Sequence, residues 1–203
     1  MKLLLHACCA PCSVQSVQAL AEERIRPDLY WYNLNIHPYT EYRSRRDSLR
    51  AFAESSKLSL TMEDEYGLRL FIRGVENAGK SGRRRENGVN HHRCAYCYRF
   101  RLEKTAALAA KNDCDAFSTT LLISPYQDHD LIRDIGESLA ARYAVTFFYR
   151  DFRPRFRQGQ NQAREAGYYM QKYCGCIYSE EERYLASEKN DSPSASGAFG
   201  RNE

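Results

Sequence analysis

The chain lacks a long hydrophobic run. Its longest apolar stretch near the start, made of Leu3, Leu4 and Leu5, is far too short for a bilayer-spanning helix or for the core of a signal peptide. We therefore expect a cytoplasmic protein without a membrane partner. The composition, 43% hydrophobic and 28% charged residues over 203 positions, is that of one globular domain with its own core.

The end of the chain is poor in residues that could build a core. From about Ser187 onward, serine, asparagine, glycine and charged residues prevail. Such a composition buries too little apolar surface to offset the entropy lost on ordering. We predict a single α/β metal-binding domain over residues 1–186 and a disordered tail over residues 187–203.

The eight cysteines are not expected to form a disulfide framework, because the chain shows no export signal and the cytosol keeps thiols reduced. They are clustered, which indicates metal or redox chemistry. The groups are Cys8, Cys9 and Cys12; Cys94 and Cys97; Cys174 and Cys176. Cys114 stands alone and is interpreted as a structural residue.

Strand-like and helix-like segments alternate along the chain. Strands are predicted at residues 2–7, 29–36, 58–62, 117–123 and 145–149, and Ser13 is expected to cap the first helix. The alternation predicts a parallel sheet covered by helices on both faces. In such sheets the functional crevice lies at the carboxyl ends of the strands, where the cysteines after the first strand, Thr119, Thr120 and Asp151 should emerge.

Cys94 and Cys97 are predicted to lie within one turn at the start of a helix, whose positive end stabilises thiolates. Thiolates are soft ligands for iron–sulfur clusters and zinc. The adjacent pair Cys8 and Cys9 is unusual for structural zinc, whose ligands are usually separated by roughly two to four residues. We therefore favour iron–sulfur, and zinc stays open.

The Cys174-Gly175-Cys176 segment has two interpretations. Two cysteines around one glycine can form a strained, reducible disulfide or bind metal, and strained disulfides tend to be redox-active. The alternative is two buried thiols beside a tight turn. We favour the redox or metal role.

Arginines are grouped, although the net charge is only +4. Arginine beside aromatic residues suits phosphates and unstacked bases, whereas a solvated face is the ordinary interpretation of any single group. The groups are Arg43, Arg45 and Arg46; Arg83, Arg84 and Arg85, in a polar loop before His91 and His92; and Arg150, Arg153, Arg155 and Arg157.

Five motifs together resemble the QueH-type epoxyqueuosine reductases, in the expected order from about residue 3 to residue 185. They are LHACCAPC at residues 5–12, RCAYCY at 93–98, STTLLISPY at 118–126, DFR at 151–153 and YCGCIYS at 173–179. The resemblance implies a Rossmann-like, three-layer parallel sheet of the adenine-nucleotide alpha-hydrolase (HUP-like) type. The turn after the first strand has no glycine to cradle a phosphate, so ATP is not expected there.

The resemblance also implies a reaction and a site. The reaction reduces the epoxide of epoxyqueuosine at the wobble position of G-U-N anticodons, in tRNAs of the Asp, Asn, His and Tyr type, with electrons from an unidentified donor. A [4Fe-4S] cluster and an adjacent iron would do the chemistry. Residues expected at the site are the metal ligands Cys8, Cys9, Cys12, Cys94 and Cys97, the catalytic candidates Cys12, Tyr98 and Asp151, the redox pair Cys174 and Cys176, and the tRNA contacts Arg83, Arg84, Arg85, Arg153 and Arg155.

Two rival hypotheses come from other classes. A zinc-stabilised tRNA-binding module without catalysis would explain the thiol pairs and the arginines, but not the adjacent Cys8 and Cys9. A thiol oxidoreductase using Cys94 and Cys97 as a dithiol would be active without metal. Tyr98 and Asp151 are candidates for the proton donor of the reaction. His6 is a third candidate, but it is more simply interpreted as a hydrogen-bonded structural histidine.

Overall fold

Five short parallel strands form the centre of the protein in a computed structural model that describes residues 1–80 and 91–191. The strands in the described part are β1 (Leu3–His6), β2 (Asp28–Trp31), β3 (Leu60–Met62), β4 (Ala116–Thr119) and β5 (Thr146–Phe147). Their order across the sheet is β3-β2-β1-β4-β5, and every neighbouring pair is parallel. The predicted parallel α/β sheet is confirmed.

Strand β1 is the middle of the sheet. Leu5 is paired with Leu29 on one side and with Ser118 on the other, and all four residues of the strand are buried. A continuous apolar run is what a strand covered on both faces requires. Because chain order reverses between β1 and β4, the crevice of the fold opens at the carboxyl ends of these two strands.

Helices cover the sheet in two groups. Helix α1 contacts α2 and α6, and helix α4 contacts α3 and α5. The bounds are α1 (Ala10–Glu22), α2 (Tyr39–Ser55), α3 (Leu68–Lys80), α4 (His91–Lys111), α5 (His129–Tyr143), α6 (Phe156–Glu165) and α7 (Ile177–Asp191), with short 3-10 turns at Thr120–Ile123 and Arg153–Arg155. None of these helices is long and apolar enough to cross a bilayer.

The first helix begins earlier than predicted. Cys9 is its N-cap residue, and Ser13 lies inside the helix, where its hydroxyl donates to the Cys9 carbonyl at 2.8 Å. The prediction of a Ser13 cap was therefore wrong. Pro11 favours the earlier start, because its fixed φ suits the first turn and its missing N–H is not needed there.

The last helix continues to Asp191. The predicted tail began at residue 187, so its first residues are helical in the structure, and residues 192–203 lie outside the described part. The boundary between the domain and a disordered tail stays a prediction. The predicted loop with Arg83, Arg84 and Arg85 falls on residues 81–90, which are also outside the described residues.

Candidate metal centre

Three cysteines meet where β1 passes into α1. The sulfur atoms of Cys8, Cys9 and Cys12 all lie within 4.8 Å of one another, and all three residues are buried. Cys9 has an extended backbone, and the helix begins directly after it, so that Cys12 lies in the first turn. The first turn of α1 therefore brings the Cys12 sulfur close to those of the adjacent residues Cys8 and Cys9, beside the positive end of the helix.

The spacing of these sulfurs fits a metal. The Sγ atoms of Cys8 and Cys9 are 3.8 Å apart. Two thiolates bound to one tetrahedral ion at about 2.3 Å are themselves separated by about 3.8 Å. Soft, buried sulfur donors at this separation suit iron or zinc. The cluster predicted from the sequence is therefore able to hold a metal through Cys8, Cys9 and Cys12.

The three thiols differ in their pKa values. Hydrogen bonds from the Cys12 and Cys9 thiols, in that order, lower the pKa of Cys8 well below its usual value. The pKa of Cys12 is raised, mainly by its hydrogen bond to Cys8, and burial raises that of Cys9. Cys8 is thus the thiol of this cluster that gives up its proton most readily, and metal binding has to displace the protons of the thiols it uses as ligands.

Two other segments contribute four further thiols. Cys94 and Cys97 are on the first two turns of α4, and Cys174 and Cys176 lie in the turn before α7. Burial raises the pKa of both α4 thiols, and Cys174 and Cys176 raise them further. Within residues 1–80 and 91–191, these four sulfurs do not join the tight group of Cys8, Cys9 and Cys12. All eight cysteines are free thiols here.

Two buried arginines flank the thiols. Arg101 is 1% exposed, and its Nη2 donates to the Cys97 sulfur at 3.1 Å. It also interacts electrostatically with Cys174 and Cys8. Arg45, likewise 1% exposed, interacts with the charges of Cys9 and Cys8. Buried cations of this kind compensate the negative charge of thiolates.

Arg45 also holds the loop that carries Cys174. It pairs with Glu41 at 2.6 Å and donates to the carbonyls of Tyr173 at 2.9 Å and Cys174 at 3.0 Å. Gly175 has a φ of +133°, and a Cβ there would approach the Arg45 guanidinium to 3.2 Å. The suggestion that Arg45 belongs to an exposed basic group was therefore wrong, because this residue is part of the core.

An open cavity of about 390 Å³ leads to the thiols. The buried residues Cys8 and Cys12 line it together with Cys174. The remaining lining residues are Arg45, Leu121, Ser124, Tyr126, Gln127, Phe156, Gln160, Gln171, Lys172, Tyr173 and Arg183. Gln171 donates to the Cys12 sulfur at 3.5 Å.

Tyr98 does not line the cavity but contacts one of its lining residues, Gln127. Its hydroxyl donates to Gln127 Oε1 at 2.8 Å, and Gln127 Nε2 lies 3.7 Å from the Cys174 sulfur. Burial raises the pKa of Tyr98, so the phenol stays protonated. Asp151 does not line the cavity. Arg153 donates to its carboxylate at 2.7 Å and lowers its pKa.

Two of the predicted tRNA contacts, Arg153 and Arg155, lie in the described part of the chain and form ion pairs with carboxylates. Arg153 is paired with Asp151, and Arg155 donates to Glu22 at 2.9 Å; neither residue lines the cavity.

His6 is fully buried between Thr119 Oγ1 at 3.0 Å and the Tyr32 carbonyl at 3.3 Å. Desolvation lowers its pKa to about 4. This is the structural histidine that the sequence favoured.

The chain is similar to known proteins over most of its length. The family model described as "Epoxyqueuosine reductase QueH" matches residues 3–182. The chain belongs to the QueH family. A curated member from Dehalococcoides mccartyi is 37% identical over 90% of this chain and 94% of its own length. Another, from Thermotoga maritima, is 33% identical over 89% and 91%. Both are named epoxyqueuosine reductase QueH, which is an oxidoreductase.

A solved structure shows the same fold. It is described as a predicted subunit of tRNA methyltransferase from Methanocaldococcus jannaschii, and it covers 94% of this chain and 90% of its own at a TM-score of 0.50 with 14% identity. This likeness concerns the fold alone. It agrees with the five-stranded parallel α/β sheet described above.

Sequence reasoning missed the polar lining of the cavity in this QueH family chain. Gln127, Gln171, Lys172 and Arg183 were not singled out, since single amides and exposed cations carry no spacing signal. Three of these residues could have been found from their place directly beside the family motifs. Gln171 and Lys172 directly precede the YCGC segment, and Gln127 directly follows the SPY segment.

Proposed function

We propose that this chain reduces the epoxide of epoxyqueuosine in tRNA to the alkene of queuosine. The substrate is the wobble nucleotide of G-U-N anticodons, in tRNAs of the Asp, Asn, His and Tyr type. Both carbon–oxygen bonds of the epoxide break, a carbon–carbon double bond forms, and two electrons and two protons convert the oxygen into water. The electrons come from a separate donor. The carrying observation is the buried thiol cluster, two members of which line an open cavity in a QueH family chain.

The proposed metal centre follows from the thiols. Cys8, Cys9, Cys12, Cys94 and Cys97 would together hold a [4Fe-4S] cluster and an adjacent iron, with Cys12 among the ligands of the adjacent iron. The close approach of Cys8, Cys9 and Cys12 supports a shared centre for these three residues. When bound, such a centre supplies single electrons and a Lewis acid for the departing oxygen.

The other residues prepare the site. Arg101 and Arg45 place two buried positive charges beside the thiols and so favour their deprotonated, metal-binding forms. Tyr98 keeps its proton at Oη and fixes the Gln127 amide, which in turn faces Cys174. Cys174 lines the cavity, whereas Cys176 is buried in an apolar group with Phe71, Val75 and Cys97. We propose that these two cysteines pass electrons between the donor and the centre.

The test begins with anaerobic purification, iron and sulfide analysis and an absorption spectrum. Epoxyqueuosine-containing tRNA is then incubated with the protein and a strong chemical reductant, and loss of the epoxide oxygen is measured by mass spectrometry. We expect more than four irons per chain and conversion to queuosine. Cys9→Ser should lose iron and turnover. Cys114→Ser, a cysteine beside Asn112 and Asp113 and away from the cavity, is the matched control and should keep both.

A zinc-binding tRNA module without catalysis is the second candidate. The 3.8 Å separation of the Cys8 and Cys9 sulfurs, which is also that of a single thiolate-bound ion, is the observation in its favour. Colourless protein that contains zinc and leaves the epoxide intact would select this candidate and overturn the reductase proposal.

A further inference from the structure

An exposed aromatic ring stands at the cavity. Tyr126 is 83% exposed, and its ring meets that of Phe156 edge to face, with centroids 6.0 Å apart. Both residues line the cavity that Cys8 and Cys12 also line. Phe156 thus contacts the Tyr126 ring, while most of the Tyr126 side chain stays exposed to solvent. An aromatic ring this exposed at the cavity is suited to stacking on a base.

Two cations line the same cavity. Lys172 and Arg183 are both exposed, and among the residues that the structure describes neither takes part in an ion pair. The predicted contacts Arg153 and Arg155, by contrast, are neutralised by Asp151 and Glu22. The positive charge available at the cavity therefore comes from Lys172 and Arg183.

The cavity lining also includes a buried hydrogen-bond acceptor. The Oε1 atom of Gln171 is buried and has no hydrogen-bond partner within the described part of the chain, while its Nε2 contacts the Cys12 sulfur. A buried amide oxygen without a partner costs free energy, which a donor on a bound molecule would recover. Gln171 lines the cavity beside the thiols, so that donor would sit next to the proposed metal centre.

We propose that this cavity binds one nucleotide extruded from a single-stranded RNA loop. Its base, or a neighbouring base, stacks on Tyr126, its flanking phosphates meet Lys172 and Arg183, and Gln171 Oε1 accepts a hydrogen bond from the inserted group. A cavity of about 390 Å³ lies within the roughly 300–1,000 Å³ typical of ligand pockets. The inference rests on the proposed function and names the residues that bring the wobble nucleotide to the thiols.

The test measures binding without turnover. Fluorescently labelled anticodon stem–loop RNA with an unmodified G-U-N anticodon is titrated with the reconstituted full chain in the absence of reductant, and a duplex of equal length is titrated in parallel. Tyr126→Ala should weaken loop binding about tenfold or more, whereas Tyr126→Phe should stay close to the wild type, because it keeps the ring. Circular dichroism checks that the variants are folded.

The cations are tested by salt dependence. Lys172→Gln and Arg183→Gln should each weaken loop binding and reduce the slope of log Kd against log salt by about one. Arg142→Gln is the matched control, since Arg142 is paired with Glu103 and does not line the cavity. It should change neither quantity.

The outcomes separate this inference from the proposed function. Unchanged loop affinity in Tyr126→Ala, or equal affinity for loop and duplex, would overturn the inference even if the enzyme reduces epoxyqueuosine. Weakened loop binding in Tyr126→Ala would support the inference even if no reduction occurred, in which case only the reductase proposal would fail.

Discussion

The Arg101 guanidinium lies 3.1 Å from the Cys97 sulfur in the interior of the protein. The same side chain donates to the Cys97 carbonyl at 3.1 Å, and it is 1% exposed. Burial raises the pKa of Cys97, and Arg101 opposes this effect. The arginine therefore acts as a fixed countercharge between the two thiol groups, because it also interacts with Cys8.

Arg101→Gln should make a bound iron–sulfur centre harder to reduce. Loss of a buried positive charge destabilises the more negative, reduced state, and we expect the midpoint potential to fall by about 60 mV, a tenfold change in a one-electron equilibrium. Anaerobic redox titration followed by absorption measures this shift. Arg101→Lys keeps the charge and should recover most of the potential. An unchanged potential in Arg101→Gln would contradict the countercharge role.

Gly175→Ala should disturb the Cys174 loop. The φ of +133° is unfavourable for alanine, and the added Cβ would press on the Arg45 guanidinium. We expect a loss of about 1–2 kcal/mol in the free energy of unfolding, together with lower turnover. Urea denaturation of the purified variant measures the stability.

Gly79→Ala is the matched control for this substitution. Gly79 lies in α3, and a Cβ there meets no atom of residues 1–80 or 91–191 within 4 Å. Alanine should leave the stability unchanged or raise it by up to about 1 kcal/mol. Equal stability losses at both glycines would show that the Gly175 conformation has no special role.

The strands and the cysteine groups could be predicted because their signals are local. An apolar run of leucines predicts a buried strand, and the cysteines after it are carried to the carboxyl edge of the sheet by topology alone. The expected meeting of Cys8, Cys9 and Cys12 is confirmed. Their distance from Cys94 and Cys97 depends on how α4 packs, which no local pattern encodes.

The arginines show where sequence reasoning fails. Arg45 lies in a run with Arg43 and Arg46 and was grouped with them, although it is buried and they are not. Helical periodicity places position 45 on the inner face of α2, but a charge becomes tolerable there only because Glu41 and two carbonyls of a distant loop accept its hydrogen bonds. Partners more than a hundred residues away cannot be inferred from spacing.

Stability should fall as the pH is lowered from 7 to 5. Burial lowers the pKa of His6 and of His37 to about 4. In the unfolded chain both histidines have a pKa near 6.5, so between pH 6.5 and pH 4 the unfolded state binds more protons than the native state. The free energy of unfolding therefore decreases below pH 6.5, by about 2 kcal/mol for each histidine between pH 7 and pH 5, and the effect of these groups levels off below pH 4. Urea denaturation across this range measures the slope.

His37→Gln should remove about half of that slope. His37 Nε2 lies 2.9 Å from the Leu34 carbonyl, and its Nδ1 accepts from the Ile177 N–H at 3.3 Å, so the neutral ring joins the Pro38 segment to the start of α7. The variant is expected to be less stable at pH 7, but the decisive quantity is the change in stability with pH. A slope equal to that of the wild type would contradict the assignment of His37 as a buried neutral residue.

Tyr98→Phe and Asp151→Asn distinguish the two proposed catalytic residues outside the thiol cluster. Tyr98→Phe removes the hydrogen bond to Gln127, and we expect kcat to fall about tenfold, equivalent to about 1.4 kcal/mol, with iron content unchanged. Asp151→Asn should leave kcat within about twofold, because the Arg153 ion pair keeps the carboxylate ionised and unable to deliver a proton at neutral pH. Single-turnover assays on epoxyqueuosine-containing tRNA compare the two variants. A large loss in Asp151→Asn together with full activity in Tyr98→Phe would reverse this order and make the carboxylate a participant in proton transfer.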